Sequence, residues 1–153
     1  MKVFIYSIIG IVAVAIIGGF FIVGSPTEAR LRAFDTRRVE DFDMIQSQIV
    51  YVYWQSKSKL PNTLADLEDP INGFIVPKDP ETATEYAYEI KGPLTFSLCA
   101  TFNRPSLANA MSVARPIAYP AGELSQNWEH GAGNVCFERT IDPDLYPPFP
   151  SKR

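Results

Sequence analysis

The side chains of this sequence that could carry out chemistry are few, and they lie far apart. His130 is the only histidine, so a Ser-His-Asp relay would depend on it alone, and no GxSxG, HExxH or CxxC motif surrounds it. Cys99 and Cys136 are the only cysteines, and neither has a nearby pair of metal-binding residues, which argues against a zinc site. The sequence therefore predicts that this protein is not an enzyme.

The stretch between residues 69 and 81 is richer in oxygen ligands. Four residues there could offer carboxylate and amide oxygens to calcium, although they lack the spacing of an EF-hand: Asp69, Asn72, Asp79 and Glu81. Two of the aspartates precede a proline, which is also an ordinary way for a turn to begin. Calcium binding and simple turn formation both stay open here, and the sequence indicates no other cofactor.

Each cysteine lies in a predicted strand whose apolar residues point to the opposite face. If the two strands are neighbours in one sheet, Cys99 and Cys136 can form a disulfide on its outer side. The alternative is a pair of unrelated buried thiols. A disulfide would indicate an oxidising compartment.

An uncharged apolar stretch runs from Val3 to Gly24. About 22 residues at about 1.5 Å each span about 33 Å, enough to cross a hydrocarbon core of roughly 30 Å. The junction Gly24-Ser25-Pro26 lacks the cleavage site of a signal peptide. The sequence therefore predicts a retained transmembrane helix over residues 1–24.

Two signals disagree about the side of the membrane on which the rest of the chain would lie. Arginines between residues 30 and 38 follow the apolar stretch, whereas only Lys2 precedes it, and this asymmetry favours the cytoplasm. The cysteines favour the outside. We expect a single-pass protein of the inner (cytoplasmic) membrane with its domain on the extracytoplasmic side.

A long amphipathic helix is predicted to follow. Ser25 and Glu28 have the spacing of a capping box, and the helix should run to about Ser56. Its apolar positions recur every three or four residues, with Arg38 in the one slot that interrupts them: Leu31, Phe34, Phe42, Ile45, Ile49 and Val52. The opposite face, predicted to be solvated, carries Arg37, Glu40, Asp41 and Gln48.

Alternating apolar residues predict strands over residues 85–90, 94–102 and 134–138, the first two joined as a hairpin. The predicted fold class is α+β, with a transmembrane helix followed by a long helix packed on a small antiparallel sheet. This domain would span residues 25–140, with a long loop insertion at 103–133 and a proline-rich tail at 141–153 that lies extended on a surface or hangs free. The formal net charge of −3 makes nucleic acid an unexpected partner.

Three segments also resemble a known family. They are LPNTLADL at 60–67, VPKDP at 76–80 and YAYE at 86–89. In this order after an apolar and an amphipathic helix, they are similar to the type IV pilin superfamily, especially the major pseudopilins of type II secretion, over about residues 30–102. The chain lacks the family's prepilin peptidase site, because Ala15 stands at the position of its glutamate.

The resemblance implies a bacterial, membrane-anchored structural or assembly subunit with a pilin-like head. Its partners would be the membrane and other anchored subunits or copies of itself. The alternative is a tethered accessory domain that does not polymerise and binds a protein or ligand through the 103–133 loop and the C-terminal tail.

Overall fold

A computed structural model describes residues 2–23, 25–106 and 127–150, and within the first helix it places the side chains of residues 4–14, 16, 18 and 19. The helices are α1 (Lys2–Val23), α2 (Pro26–Ser47), a π-helix (Gln48–Trp54), α3 (Gln55–Lys57) and a 3-10 turn (Leu64–Leu67). The strands are β1 (Ala87–Ile90), β2 (Thr95–Phe102) and β3 (Gly133–Thr140). The chain divides into two compact units, Met1–Ala33 and Phe34–Arg153.

The first unit contains α1 and the start of α2. The amide of Glu28 donates to Ser25 Oγ at 3.3 Å, so the predicted cap of α2 is confirmed on the serine side. Pro26 occupies the first helical position, where its missing N–H costs no hydrogen bond.

The predicted membrane anchor is corrected by the structure. Among the described residues, no helix combines the length and the apolar character needed to cross a membrane. The transmembrane part of the predicted fold class, and the single-pass inner-membrane location with an extracytoplasmic domain, are contradicted by this finding.

The second unit is built on α2 and its π-helical continuation. Phe42, Ile45 and Ile49 are fully buried, as predicted. Beyond them the prediction is wrong, because Val50 is buried while Val52 is 42% exposed. A π-helix closes its hydrogen bonds over five residues instead of four, so the buried face shifts along the sequence.

A three-stranded antiparallel sheet in the order β1-β2-β3 covers this helix. The predicted β1-β2 hairpin is confirmed, with Tyr88 opposite Leu98. The α+β class is therefore observed. Phe42 lies at the centre of the core, with its ring centroid 5.0 to 6.4 Å from those of four other aromatic residues: Tyr86, Phe102, Trp128 and Phe137.

The C-terminal segment packs on the π-helix and on the start of α3 instead of hanging free. Ile141 and Tyr146 are buried. Trp54 Nε1 donates to the Tyr146 carbonyl at 2.8 Å, and the Phe149 amide donates to the Gln55 carbonyl at 2.7 Å. The described part of the predicted tail therefore belongs to the folded unit.

Candidate functional site

The most distinctive group of polar side chains surrounds Arg38, which is only 2% exposed. Arg38 Nε donates to Asp79 Oδ2 at 2.6 Å and Nη2 to Asp79 Oδ1 at 3.1 Å. Nη2 also donates to Glu81 Oε2 at 2.8 Å, and Nη1 to Asp35 Oδ1 at 2.8 Å. We call Asp35, Arg38, Asp79 and Glu81 the Arg38 cluster.

The carboxylates of the Arg38 cluster also hold the backbone of two other segments. The two Asp35 oxygens accept the amides of Asn103 and Arg104, each at 2.9 Å. Asp79 Oδ1 accepts the amides of Glu81 and Thr82, also at 2.9 Å. The cluster therefore fixes the loop after Asp79 and the start of the 103–133 insertion to the helix.

The local electrostatics follow from this arrangement. Burial alone would raise the pKa of Asp79, but hydrogen bonds from Arg38 and from the Thr82 and Glu81 amides lower it to about 2. Burial disfavours the Arg38 cation, yet its bonds to Asp79, Glu81 and Asp35 raise its pKa above the ordinary value. One guanidinium faces three carboxylates, so the cluster carries a negative excess.

A second buried carboxylate lies on the helix face that was predicted to be solvated. Asp41 is 1% exposed, and Tyr86 Oη donates to its Oδ2 at 2.7 Å. Its Oδ1 lies 3.2 Å from Arg37 Nε, an ionic contact outside hydrogen-bond geometry. Burial raises the pKa of Asp41, and burial together with the Asp41 contact raises that of Tyr86. The predicted solvation of Asp41 is wrong because the β1 side of the sheet covers it.

The Arg38 cluster borders an open cavity of about 430 Å³. Its walls are formed by residues of the segment 79–87, by Cys99, Ala100 and Thr101 of β2, and by Asn103 and Asn134. The volume falls within the range of roughly 300 to 1,000 Å³ found for small-ligand sites. Most of the polar atoms that the cluster presents there are already hydrogen-bonded, so the cavity offers few convergent groups to a ligand.

The four residues predicted as calcium ligands fall into two separate hydrogen-bond networks. Asn72 Nδ2 donates to Asp69 Oδ2, whereas Asp79 and Glu81 both accept from Arg38. Within the described ranges, no group of three or more His, Cys, Asp or Glu residues could hold a metal ion. Calcium binding at these positions stays a prediction, and for Asp79 and Glu81 the arginine already supplies the positive charge.

The predicted disulfide between Cys99 and Cys136 is confirmed. The two residues lie directly opposite each other in the β2-β3 pair, with their Cα atoms 4.0 Å apart. The bond closes a loop with a sequence separation of 37. On the chain-entropy model, such a crosslink stabilises a domain by roughly 3 to 4 kcal/mol.

His130 packs in the structure as an aromatic residue. Its ring stacks on Phe102 with the centroids 3.7 Å apart. The amide of Ser106 donates to the His130 carbonyl at 2.9 Å, and the His130 amide donates to Ser106 Oγ at 3.1 Å. His130 therefore helps to close the ends of the 103–133 insertion, whose residues 107–126 lie outside the described part of the chain.

Sequence reasoning missed Asp35 and Asp41 as functional candidates. One signal was present, because a charged residue inside an apolar stripe needs a buried partner, and Asp35 precedes Arg38 by three positions on the same helix face. No local pattern could indicate that the loop at residues 79–81 supplies the other two carboxylates.

Comparisons with known proteins add no assignment. No protein-family description, no curated protein and no solved structure matches this chain. The fold and the site define a small disulfide-linked α+β domain whose charged cluster binds backbone amides of two other segments.

Proposed function

We propose that this protein is a pilin-like structural or assembly subunit that associates with other copies of itself through α1. The observation that carries the proposal is the surface of that helix. Nine large apolar side chains of α1 are between 47% and 72% exposed: Phe4, Ile5, Tyr6, Ile8, Ile9, Ile11, Val12, Val14 and Ile16.

A helix that is apolar on every side is normally covered in its working state, and exposed apolar patches of this kind typically mark interaction surfaces. The segment from Phe4 to Ile16 carries no charge, so its partner must present an elongated apolar surface. A second copy of α1 presents such a surface. Cβ atoms added at Gly10, Gly18 or Gly19 would meet nothing within 4 Å, so another helix has room to approach closely there.

The second unit supports a structural role over an enzymatic one. The carboxylates of the Arg38 cluster position backbone amides, and the only histidine stacks on Phe102. The disulfide and the packed C-terminal segment restrain the same domain. We propose that this unit is a stable head that makes lateral contacts in an assembly and has no catalytic activity.

The alternative function is that of an accessory domain that does not polymerise. The cavity of about 430 Å³ next to Asn103, at the start of the 103–133 insertion, favours this alternative. The packing of residues 141–150 on the helix opposes it, because the part of the tail meant to bind a partner is already engaged.

The test is the assembly state of the purified full chain, measured by sedimentation velocity and by electron microscopy for filaments. We expect the wild-type chain to form oligomers and Ile9→Glu to be monomeric, because a carboxylate cannot be buried in an apolar helix contact without a partner. Ser56→Glu introduces the same charge at an exposed position of the second unit and should assemble normally. A monomeric wild type contradicts the proposal. That outcome would favour the accessory domain, whereas assembly that survives Ile9→Glu would show that the contact between copies does not depend on α1 and would also contradict the proposal.

A further inference from the structure

A tight, exposed turn connects Asp69 to Phe74. The two residues exchange backbone hydrogen bonds, each of 3.1 Å, and Asp69 Oδ1 accepts the Ile71 amide at 2.9 Å. Ile71, near the tip, is 95% exposed. The turn is therefore ordered by its own bonds while its surface remains open to water.

Asn72 and Gly73 are consecutive exposed residues of this turn. The Asn72 amide nitrogen Nδ2 donates to Asp69 Oδ2 at 2.5 Å. Among the described residues, none accepts a hydrogen bond from the Gly73 N–H. Gly73 has a φ of +70°, and a Cβ atom added to it would meet nothing within 4 Å.

We propose that Asn72 is a site of spontaneous deamidation in the folded protein. The Gly73 nitrogen attacks Cγ of Asn72 and forms a five-membered succinimide ring. The C–N bond of the side-chain amide breaks, and ammonia leaves with the proton lost by Gly73, carried by solvent water. A water molecule then opens the ring at either carbonyl, so the product is aspartate or isoaspartate, and no oxidant or cofactor is needed.

The product changes the turn. The Nδ2 group that donates to Asp69 is replaced by a carboxylate that cannot donate when ionised, so two negative charges face each other. Isoaspartate also adds one carbon to the backbone between the paired residues Asp69 and Phe74. Deamidation therefore adds a negative charge to the turn that carries Ile71, and it weakens the hydrogen bonds that order this turn.

The experiment incubates the purified full chain at neutral and mildly alkaline pH and follows each asparagine by peptide mass spectrometry. Asn62 and Asn134, which precede threonine and valine, are internal controls in the same sample. We expect Asn72 to convert at least about tenfold faster than either control, which corresponds to a barrier lower by about 1.4 kcal/mol. Equal rates at the three residues would overturn the proposal.

A second measurement separates the effect of the folded turn on the deamidation rate from the effect of the Asn72-Gly73 sequence itself. The same incubation in concentrated urea gives the rate for the unfolded chain. If the folded turn does not hinder attack by the Gly73 nitrogen, the deamidation rate of Asn72 in the folded protein should stay within about tenfold of the rate in urea. A greater slowing on folding would show that the turn protects Asn72, and would refute its assignment as a reactive site of the native protein.

Discussion

In the second unit, α2 and the π-helix that follows it form one long helix from Phe34 to Trp54. Its two ends contact the rest of the domain through different kinds of interaction. At Arg38, one buried guanidinium joins three carboxylates from two segments. At Trp54, the attachment is aromatic packing with single neutral hydrogen bonds to the C-terminal segment. The ionic end fixes geometry strictly and the aromatic end contributes apolar burial, so the two should respond differently to mutation and to pH.

The ionic end illustrates why a buried charge network is retained. Removing Asp35, Arg38 and Asp79 from water costs several kcal/mol per ion, and the attraction between them offsets this cost only when the hydrogen bonds are satisfied. Here they are, because Asp35 and Asp79 accept backbone amides as well as the guanidinium. The network thereby fixes where the 103–133 insertion leaves the sheet.

The aromatic end depends on the π-helix. Its altered winding brings Val50 and Trp54 into the core, and the indole N–H meets the Tyr146 carbonyl. Tyr51 and Tyr146 form an edge-to-face pair with their ring centroids 5.4 Å apart. Apolar burial of this kind is not directional, so this end should tolerate small changes better than the ionic end.

The largest loss in the free energy of unfolding is expected from a substitution at the ionic end, around Arg38. Arg38→Met removes the cation and leaves Asp35, Asp79 and Glu81 facing one another, which should cost about 3 to 5 kcal/mol. Urea unfolding of the full chain measures this loss. The control is Lys91→Met, which breaks the exposed pair with Glu89 and should cost no more than about 1 kcal/mol. Similar midpoints for both variants would show that the buried network contributes little.

A slightly smaller loss in the free energy of unfolding is expected from a substitution in the middle of the helix, at Ile45. Ile45 is fully buried, so Ile45→Ala should cost about 2 to 5 kcal/mol through lost burial and the cavity left behind. The neighbouring Met44 is 43% exposed, and Met44→Ala should change the free energy of unfolding by about 0.5 kcal/mol or less. If Met44→Ala is the more destabilising variant in urea unfolding, the assigned buried face of α2 is wrong.

A smaller effect still is expected at the aromatic end. Trp54→Phe keeps an aromatic ring but removes the donor to the Tyr146 carbonyl, and should cost about 1 to 3 kcal/mol. Tyr53→Phe is the matched control on the same π-helix, since Tyr53 is only half-buried, and should be nearly silent at about 0.5 kcal/mol. Thermal unfolding compares the two. A loss at Trp54 as large as that at Arg38 would remove the distinction between the two ends.

The smallest effect is the pH dependence of the ionic end. Because the folded pKa of Asp79 is lowered to about 2 from 3.8, its stabilising contribution is present above about pH 4 and is lost as the pH falls towards 2. Asp79→Asn should therefore lose less stability than the wild type between about pH 5 and pH 3, measured as the shift in urea midpoint. An identical shift in both proteins would mean that other carboxylates dominate acid unfolding.

Several elements of the second unit could be predicted because their signals are local. Alternation in residues 94–102 indicated the strand and its buried face, and the hairpin followed from the short connection before it. The same alternation placed Cys99 and Cys136 on the outer face, where they are joined. The serine cap of α2 followed from spacing alone.

Other features could not be predicted from local patterns. The exposure of Val52 results from the π-helix, which has no recognisable sequence signal here. Asp41 is buried next to Tyr86, which lies 45 positions away in the chain and donates a hydrogen bond to it. The apolar stretch at the N-terminus predicted an anchor that the described helices do not support.

The sequence by itself determined the α+β class, the strand face on which each cysteine lies and the apolar face centred on Phe42, because these depend on periods of two and of three to four residues that act within one element. Whether the two cysteine strands are neighbours was left open by the sequence and decided by the β2-β3 pairing. Only the tertiary structure decided which carboxylates meet Arg38 and how the C-terminal segment reaches Trp54. Those contacts join residues between 41 and 92 positions apart, apart from the local pair with Asp35. A buried charge is stable only when such distant partners converge on it, and convergence is a property of the packed fold.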